Sequence, residues 1–580
     1  KDNEKLLYRQ GITAPKGISE DQLANQYAQE PNRKIRNLPI APLVGIYYFG
    51  LSHYNQDKLI KRKERKLSKI DHKIAKASNQ QRINNLEYRK QQKTDKYSDK
   101  IENGNTVMQW GEPISVFDST FLEATRERMH HYLYSKGYFL NKVTSKVTSL
   151  GKFVNVSYKI EPGPAYFIDS LSYAIDDTTI VHILQQNQRA SFLKVGTPYD
   201  QNNFSKEQER IDLLLKDNGY FDFSRQYVEF AVDTSIMKED HGVAVLLIIN
   251  EPAKRENHKQ FVIDEVRFVT DAGVTNTGTR QQQEYRSIHF SYFQDLYKLK
   301  ILSQRVFLKP GEMYSRSKTI NTQRQLANVD AFKFVNVNYD TTGGKFIANV
   351  FTNALPRYEW SNEAGVNVTQ GFPGPFYNMT FKKRNIFRGL ESLDLSGRFG
   401  FEGVASATQD QDFYKSTEAG VNASFTFPQF IGPFSEDRRF KHAAYNPKTK
   451  LTVGYAYTDR PEYRRTAIVA TGTYSWQNNK GRTYQLTPIN LGVIDTSNLS
   501  SDFKQLLQDQ ATLGNYSLLN SFRPSFVNSI IFGVTWNYKN YGNLERTSGF
   551  ARAQLESGGT IWNFFDPTFI TENLDLQYFK

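Results

Sequence analysis

The sequence predicts three α+β modules in series, followed by an antiparallel transmembrane β-barrel. Two stretches that share Gly-Tyr-Phe, "SKGYF" ending at Phe139 and "DNGYF" ending at Phe221, indicate a repeated module. From about residue 357 onward, alternating apolar and polar stretches of roughly ten residues replace the long helices, and such strands suit a membrane barrel. Aromatic residues make up 14% of the 580 residues, although the mean hydropathy is −0.60. This balance favours strands with one apolar face.

The repeated corner follows a helical stretch in both copies. A Glu-Arg pair begins ten residues before each glycine, at Glu127 and at Glu209. A helix that ends in a left-handed residue takes glycine at little cost, and an aromatic pair after the glycine can cap a small core. The sequence therefore predicts two structural corners of the same kind. They are made of Gly137, Tyr138 and Phe139 and of Gly219, Tyr220 and Phe221.

Each corner belongs to a longer repeat. The copies open on glycine turns at Gly111, Gly196 and Gly311, continue through a helix and end in two alternating stretches. In the third copy Ala331-Phe332 stands where the other two have Gly-Tyr-Phe. The predicted domains are three modules at residues 1–163, 164–255 and 256–356, and the first part of the barrel at residues 357–580. Modules of this length lie within the usual range for small domains.

The net charge of +14 is concentrated in one segment of the first module. Residues 57–100 hold fifteen Lys or Arg and six Asp or Glu, so +9 of the total lies in 44 residues. Four apolar residues recur there at helical spacing: Ile60, Leu67, Ile70 and Ile74. With a break at Ser78-Asn79, this pattern predicts a helical hairpin inserted at about residues 56–105. A solvated helix pair, anionic lipid headgroups and an acidic partner all fit it, whereas nucleic acid does not, because no recognition motif occurs.

The stretches after residue 357 separate an apolar face from a polar one. In "LDLSGRFGFE", Leu395 and Phe399 fall on one face, and Asp394 and Arg398 fall on the other. A soluble sandwich would alternate in the same way, but its strands are usually only five or six residues long. Tryptophans near the strand ends, at Trp360, Trp476 and Trp536, are typical of the membrane interface. The strand length and these aromatics favour the barrel.

The sequence carries no signature of an enzyme or of a cofactor site. The motifs G-x-S-x-G, H-E-x-x-H and G-x-G-x-x-G and the P-loop are all missing. Cysteine is absent, which excludes disulfides, thiolate nucleophiles and Cys-ligated zinc. The nine His are scattered along the chain. We therefore predict no catalytic residue, no cofactor and no bound metal.

The modules and the first strands together resemble a known family. Serial modules with Gly-Tyr-Phe corners ahead of ten-residue strands look like POTRA domains ahead of a barrel, and the chain resembles the BamA/TamA family of outer-membrane assembly proteins. Residues 357–403, with the turn "NIFRG", are similar to the opening barrel strands of that family. Three modules, an insertion in the first and the opening "KDNEKLLYRQGI" are closest to the TamL-like branch. Members of that branch are lipoproteins, whose anchoring cysteine would precede Lys1.

The resemblance implies a non-enzymatic protein of the bacterial outer membrane with its modules in the periplasm. The implied partners are unfolded outer-membrane client proteins, the lipid bilayer and an inner-membrane or periplasmic partner subunit. Exposed strand edges of the modules would dock a client by β-augmentation. The first barrel strand would border a seam that opens and serves as a template for a client strand. The predicted seam edge is Ala364, Gly365, Val366, Asn367, Val368 and Thr369.

The chain departs from the family pattern in its last part. About eight strands can be placed between Arg357 and Lys580, whereas the family has about sixteen, and the family's late inward loop motif is missing. The end "ENLDLQYFK" reads like the middle of a strand, so a barrel that continues past Lys580 is expected. Two other functions stay open at this point. They are a two-partner-type secretion pore and a soluble β-sandwich binding protein.

Overall fold

The structure is a computed structural model. It describes residues 5–34, 41–237, 241–253, 255, 257–273, 278–369, 372–404, 414–433, 435–478, 481–538, 548–559 and 577–578. These residues form two compact units. One unit comprises Lys1–Asp212 and Ser224–Asn257, and the other comprises Leu213–Phe223 and His258–Lys580.

The first module, in the first unit, contains a three-stranded sheet, and its first and last helices pack against that sheet. The strands are β1 (Leu6–Thr13), β2 (Lys142–Leu150) and β3 (Phe153–Glu161), and the helices are α1 (Glu20–Ala24), α2 (Pro42–Ser52), α3 (Gln56–Ala75), α4 (Gln80–Glu102), α5 (Thr106–Trp110) and α6 (Ser119–Ser135). The central strand β3 is parallel to β1 and antiparallel to β2. Apolar residues at helical spacing on α6, Met129 and Leu133, pack with Leu23 of α1 against β3.

The predicted helical hairpin is present as α3 and α4. The two helices are separated by residues 76–79, which include the predicted break. Lys90 Nζ lies 2.6 Å from Asp71 Oδ1 across the pair. The predicted apolar seam is only partly buried: Ile70 is 8% exposed, but Ile60 is 37% exposed, because two helices alone cannot cover the whole stripe. No helix among the described residues is both long and apolar enough to cross a membrane.

The second module repeats the topology of the first. Its elements are β4 (Phe167–Ala174), α7 (Thr178–Gln186), α8 (Gln201–Asp217), β5 (Val228–Met237) and β6 (Gly242–Ile249). The strand order is β4-β6-β5, with the last strand again in the centre and parallel to the first. The buried core includes Ile168, Phe204, Val243 and Val245. The end of α8 and the corner after it belong to the second compact unit.

The third module contains the same three strands and adds a hairpin to them. Its elements are β7 (Glu265–Val269), β8 (Gln281–Tyr285), β9 (Ile288–Tyr292), α9 (Leu299–Ser303), α10 (Arg316–Ala327), β10 (Phe332–Asp340) and β11 (Ile347–Ala354). The sheet order is β10-β11-β7-β9-β8. Strand β9 pairs with the side of β7 that is turned away from β11. The hairpin β8–β9 therefore occupies the outer edge of this module's first strand.

After residue 357 the chain forms one large antiparallel sheet. Its strands are β12 (Tyr358–Thr369), β13 (Phe372–Arg384), β14 (Ser392–Val404), β15 (Tyr414–Phe427), β16 (Lys448–Asp459), β17 (Arg464–Gln477), β18 (Arg482–Ser497), β19 (Ser525–Tyr538) and β20 (Gly549–Gly558). Each strand pairs with the next along the chain, and a two-residue strand, β21 (Gln577–Tyr578), pairs with β19. Helices α11 (Glu436–Ala443), α12 (Ser501–Thr512) and α13 (Tyr516–Asn520) lie between strands.

The large sheet differs from the expectation in strand number. It has nine long strands in its described part, where the sequence predicts about eight. The pairing of β18 with β19 shifts register between Thr487 and Asn490, a segment that contains Pro488. The shift interrupts the alternation of apolar and polar residues along β18. All nine strands lie in one continuous sheet, which does not fit the sandwich alternative of two stacked sheets. Within the described ranges β12 and β20 do not pair, so closure of a barrel stays a prediction.

The predicted alternation in this sheet is confirmed by the register. Leu395 lies opposite Phe381 on one side and Ala423 on the other, so apolar residues share one face. That face is exposed: Val421 is 59% and Val453 is 55% accessible. On the other face, Asn378 Nδ2 donates to Glu363 Oε2 at 3.0 Å, and Ser529 Oγ donates to Glu556 Oε1 at 2.5 Å. The sheet thus has one apolar and one hydrogen-bonded polar surface.

Each of the four sheets lies inside one of the four predicted domains. The first sheet falls within residues 1–163, the second within 164–255, the third within 256–356 and the large sheet within 357–580. The exact domain bounds stay a prediction, because the compact units divide the chain differently, at residues 212–224 and 257–258.

Candidate functional site

The first Gly-Tyr-Phe corner joins the first module to the second. Gly137 has φ 85°, in the left-handed region that the sequence predicts for it. Its carbonyl oxygen accepts a hydrogen bond from the backbone N–H of Tyr166, 3.0 Å away, at the start of the second module. The ring of Phe139 packs edge-to-face on Tyr166 and Tyr199, with centroids 4.9 and 5.0 Å away. Tyr138, in contrast, packs on the core of its own module.

The second corner makes the same contacts with the third module. Gly219 has φ 98°, and its carbonyl oxygen accepts from the N–H of Phe261 at 2.8 Å. The ring of Phe221 lies 5.0 Å from Tyr314 and 5.1 Å from Phe346. Tyr220 is buried. In both corners the phenylalanine packs into the module that follows, whereas Tyr138 packs on the core of its own module.

The carboxylate of Asp217 adds a polar contact beside the second corner. It accepts hydrogen bonds from Ser315 Oγ at 2.8 Å, from the Ser317 N–H at 2.7 Å and from Ser317 Oγ at 2.6 Å. Ser315 is the N-cap of α10, so the carboxylate lies at a helix N-terminus where donors are free and negative charge is favoured. Asp217 therefore ties the end of α8 to the main helix of the third module.

The third module has an aspartate where the first two have glycine. Asp330 precedes Ala331-Phe332 and has φ 51°, a left-handed conformation that aspartate tolerates better than most residues. Its carbonyl oxygen accepts from Arg384 Nε at 2.9 Å, at the end of β13. The corner residue of every module thus presents its carbonyl to the next element of the chain, and here that element is the first hairpin of the large sheet.

Arg384 connects this third corner to the base of strand β12. The side chain is 7% exposed, although it carries a full charge. Its Nη2 lies 2.5 Å from Glu359 Oε2 and 3.4 Å from Asp330 Oδ1, and its Nη1 donates to the Pro356 carbonyl at 3.2 Å. Lys382 also reaches Asp330, at 2.8 Å. Because a buried guanidinium needs several acceptors, this set fixes the base of β12 against the third module.

The turn between β13 and β14, predicted from "NIFRG", also docks on the third module. Asn385, Arg388 and Leu390 all have positive φ, between 55° and 66°. Glu391 holds this turn, because its carboxylate accepts from the N–H groups of Phe387 and Gly389. Leu390 lies in the core of the third module, and the Arg388 carbonyl accepts from the Lys298 N–H at 2.7 Å. Such a strained turn persists because its surroundings determine it.

A second buried cation ties the third module to the loop after β15. Arg305 is 2% exposed and donates to Gln325 Oε1 at 3.2 Å and to the carbonyl oxygen of Pro428. Burial lowers the pKa of Arg305 to about 10, so the guanidinium stays charged at neutral pH. Gln325 Nε2 donates in turn to the Ala444 carbonyl at 3.1 Å. Arg305 and Gln325 therefore tie the third module to the residues that follow β15 and α11.

The predicted seam edge lies in the second half of β12, which is the end strand of the large sheet. β12 pairs with β13 from Tyr358 opposite Lys383 to Thr369 opposite Phe372. In the part of the chain that the structure describes, no strand pairs with its other side. Val366 and Val368 are 63% and 69% exposed. The residues Ala364, Gly365, Val366, Asn367, Val368 and Thr369 thus line an open strand edge. A Cβ at Gly365 would lie 2.8 Å from the ring of Phe376.

The modules offer strand edges of their own, and their first strands are the less open ones. A residue before the main helix of each module bridges to the beginning of the first strand: Val116 to Leu6, Pro198 to Phe167 and Met313 to Val262. The strands on the opposite side, β2, β5 and β10, are end strands of their sheets. On β2, Lys142 and Lys146 are exposed, and lysines on an edge discourage indiscriminate pairing.

The described residues contain no group of three or more His, Cys, Asp or Glu that could hold a metal ion. The polar groups at the base of β12 are instead paired with one another, as shown for Arg384 and Asp330. The open edge of β12 presents backbone N–H and carbonyl groups, which can pair with another strand.

Comparisons with known proteins give distant likenesses only. No family model matches the chain, and no curated protein matches its sequence. Among solved structures, BamA from Haemophilus ducreyi lacking POTRA domains 1–3 matches with 16% identity and a TM-score of 0.36 over 68% of this chain and 64% of that one. POTRA domains 3–5 of Haemophilus influenzae BamA match with 11% identity and a TM-score of 0.26 over 61% and 99%. CdiB from Acinetobacter baumannii matches with 8% identity and a TM-score of 0.20 over 69% and 70%.

These structural neighbours are outer-membrane POTRA-plus-barrel proteins at low identity, and none singles out the TamL-like branch. The match spans less than two thirds of the Haemophilus ducreyi protein. TM-scores of this size carry no argument, so the function is argued from the geometry of the chain itself.

Replacing Gly137 by alanine tests the first corner. A Cβ at this position would lie 2.9 Å from Tyr199 Cβ and 3.0 Å from its carbonyl oxygen, in a left-handed conformation. The left-handed conformation costs alanine about 1–2 kcal/mol, and the crowding adds about 1–3 kcal/mol. We expect faster hydrogen exchange at the Tyr166 amide in the full chain. The matched control is Gly151→Ala, which also has positive φ but meets nothing within 4 Å, and it should leave Tyr166 unchanged. Equal exchange in both variants would contradict the role of the corner.

Replacing Arg384 by alanine tests the anchor of β12. The change leaves Glu359 and Asp330 without their guanidinium partner, and we expect a loss of about 2 kcal/mol in the local free energy of opening. Hydrogen exchange of residues 357–360 should accelerate accordingly. Arg388→Ala is the control, because its ion pair with Asp295 is half exposed on both sides and should contribute less than about 1 kcal/mol. If Arg388→Ala accelerates hydrogen exchange of residues 357–360 as much as Arg384→Ala does, Arg384 is not the residue that fixes the base of β12.

Proposed function

We propose that this protein resides in the bacterial outer membrane and assists the insertion or translocation of other outer-membrane proteins. The observation that carries the proposal is the open edge of β12, an end strand whose base is fixed to the third module. The role needs no catalytic group, cofactor or metal, because strand pairing is made by the backbone. The free energy comes from the client's own folding.

The large sheet supports the membrane part of the proposal. Its strands are 10 to 16 residues long, and about 9–11 residues suffice to cross a bilayer when the strand is tilted. One face is apolar and exposed over several strands, as at Val421 and Val453, whereas the other is polar and internally hydrogen-bonded. In lipid such a sheet must close or pair at both ends, since unpaired amides in hydrocarbon are costly.

Strand β12 is the proposed template for a client strand. The residues 364–369 have exposed side chains on the apolar face, at Val366 and Val368, and a backbone edge with no described neighbour. A client strand that pairs there keeps its own amides hydrogen-bonded while it enters the bilayer. The base of the strand stays in place through Glu359 and Arg384, so only the distant half needs to exchange partners.

The module edges are the proposed docking sites for clients or for a partner subunit. Because the first strands are bridged at their beginning, the accepting edges are those of β2 and β5. In the third module, β8 and β9 already extend the sheet beyond β7. We place the modules in the periplasm and assign the chain to the TamL-like lipoprotein branch. The opening of the sequence and the insertion in the first module support this assignment.

Fractionation of cells that express the full reading frame tests the location. We expect the protein in the outer-membrane fraction and a faster-migrating band on gels when the sample is not boiled, because closed barrels resist unfolding by detergent. A soluble protein whose mobility does not depend on boiling would sink the proposal. A soluble and unrelated protein serves as the control for contamination between fractions.

Cysteine cross-linking tests the template role of β12, since the 580 residues contain no cysteine. We expect Val366→Cys to form a disulfide with a single cysteine in the last strand of a urea-denatured porin during its folding into membranes. Met379→Cys is the matched control: it lies on the same face and is 38% exposed, but its strand has neighbours on both sides. Disulfides need Cα atoms within about 7 Å, which only a directly paired strand provides. Equal yields at both positions would refute strand pairing at the edge.

A further inference from the structure

Helix α2 of the first module is an apolar helix with one uncovered side. Its sequence, "PLVGIYYFGLS", contains no charged residue. It packs on α5 through glycines, because a Cβ at Gly50 would lie 2.7 Å from the Met108 nitrogen and one at Gly111 would lie 2.3 Å from the Tyr47 nitrogen. Away from this contact the helix remains open. Phe49 is 64% and Tyr48 is 46% exposed.

The exposed apolar residues of this region form one set, which we call the apolar patch. Its members are Ile46, Tyr48, Phe49, Leu51 and Trp110. Trp110 is 69% exposed and ends α5, the helix that packs on α2. Five large apolar side chains exposed so close together on two contacting helices are unusual for a surface in water, where such residues normally stand singly.

The basic hairpin α3–α4 begins directly after helix α2. Helix α2 ends at Ser52 and α3 begins at Gln56. Helix α3 carries eight Lys or Arg within 20 residues, and seven of them are exposed: Lys58, Lys61, Arg62, Arg65, Lys66, Lys69 and Lys73. A dense field of cations therefore lies next to an uncharged aromatic helix.

We propose that α2, Trp110 and the hairpin α3–α4 form a binding surface for a lipid bilayer that carries anionic headgroups. Aromatic and aliphatic side chains enter the boundary between headgroups and acyl chains, and lysines and arginines bind the charged headgroups. Tryptophan and tyrosine are the residues that favour this boundary. An acidic protein would satisfy the cations, but it would leave the patch without an apolar counterpart. The proposal is independent of the large sheet and of the assembly role.

The test uses the full chain in nanodiscs of phosphatidylcholine, mixed with separate vesicles. Leu51→Cys, labelled with an environment-sensitive dye, reports entry of α2 into lipid, and vesicle flotation reports binding. We expect binding to vesicles of phosphatidylcholine and phosphatidylglycerol in equal amounts to be about tenfold tighter than to phosphatidylcholine alone. High salt should weaken this binding, since it screens the exposed cations. The dye emission should shift to the blue only where the protein binds.

Two variants separate the contribution of the hairpin cations to lipid binding from that of the apolar patch. The triple variant Lys61→Glu, Arg62→Glu and Lys66→Glu should remove the preference for anionic vesicles. Phe49→Ser with Trp110→Ser should weaken binding and abolish the dye shift while the preference for anionic lipid remains. The matched control reverses the charge of three exposed lysines of the same module, Lys5, Lys16 and Lys152, and should bind both kinds of vesicle as the native protein does. Hydrogen exchange of α6 in every variant verifies that the module is folded.

Equal binding to both kinds of vesicle overturns the proposal. The proposal is also wrong if the control variant loses as much of the preference for anionic lipid as the triple hairpin variant does. Polyglutamate serves as the probe for the competing occupant. If the native protein ignores both vesicles but binds polyglutamate through the hairpin cations, the surface serves an acidic protein and the lipid proposal is wrong.

Discussion

The backbone carbonyls of Gly137, Gly219 and Asp330 connect each module to the element that follows it. A left-handed residue shortly after the end of each main helix turns the chain so that its own carbonyl faces the element that follows. Here that carbonyl accepts from Tyr166, from Phe261 and from Arg384 in turn. A phenylalanine two residues after each glycine adds an aromatic contact with the next core. The repeated corner is therefore a joint, and its repetition explains why the chain builds similar modules in series.

The last joint differs from the others because it holds a strand instead of a module. Asp330 supplies both a carbonyl and a carboxylate to the buried Arg384. The same guanidinium also pairs with Glu359 at the base of β12. The strained turn held by Glu391 and the buried Arg305 fix neighbouring parts of the sheet to the same module. Polar contacts of this kind are specific in direction and geometry. They hold one end of β12 firmly and leave the edge of its other half open.

The sequence alone shows the modules, the helical hairpin and the alternating sheet, because glycine corners, charge runs and period-two patterns are local signals. It does not show that Phe139 and Phe221 pack into the following modules, since their partners are distant in sequence. The sequence does not identify Asp330 as a third left-handed corner residue, because no glycine stands there. Its place directly before Ala331-Phe332 is the signal that could have identified it. The register shift around Pro488 interrupts the alternation of apolar and polar residues within β18, so such a strand is harder to recognise. The open edge of β12 depends on the pairing of all nine strands, and only its position could be inferred from resemblance.

The rate at which a denatured porin folds into vesicles tests the central claim most directly. Vesicles that contain the protein should accelerate folding relative to empty vesicles. Acceleration should be lost when a short strand peptide is linked by a disulfide to Val366→Cys, and it should survive the same treatment of Met379→Cys. This result would show that the edge of β12 is the working surface. The account would be contradicted if the porin folds no faster than in empty vesicles. It would also be contradicted if the peptide linked to Val366→Cys leaves the acceleration unchanged.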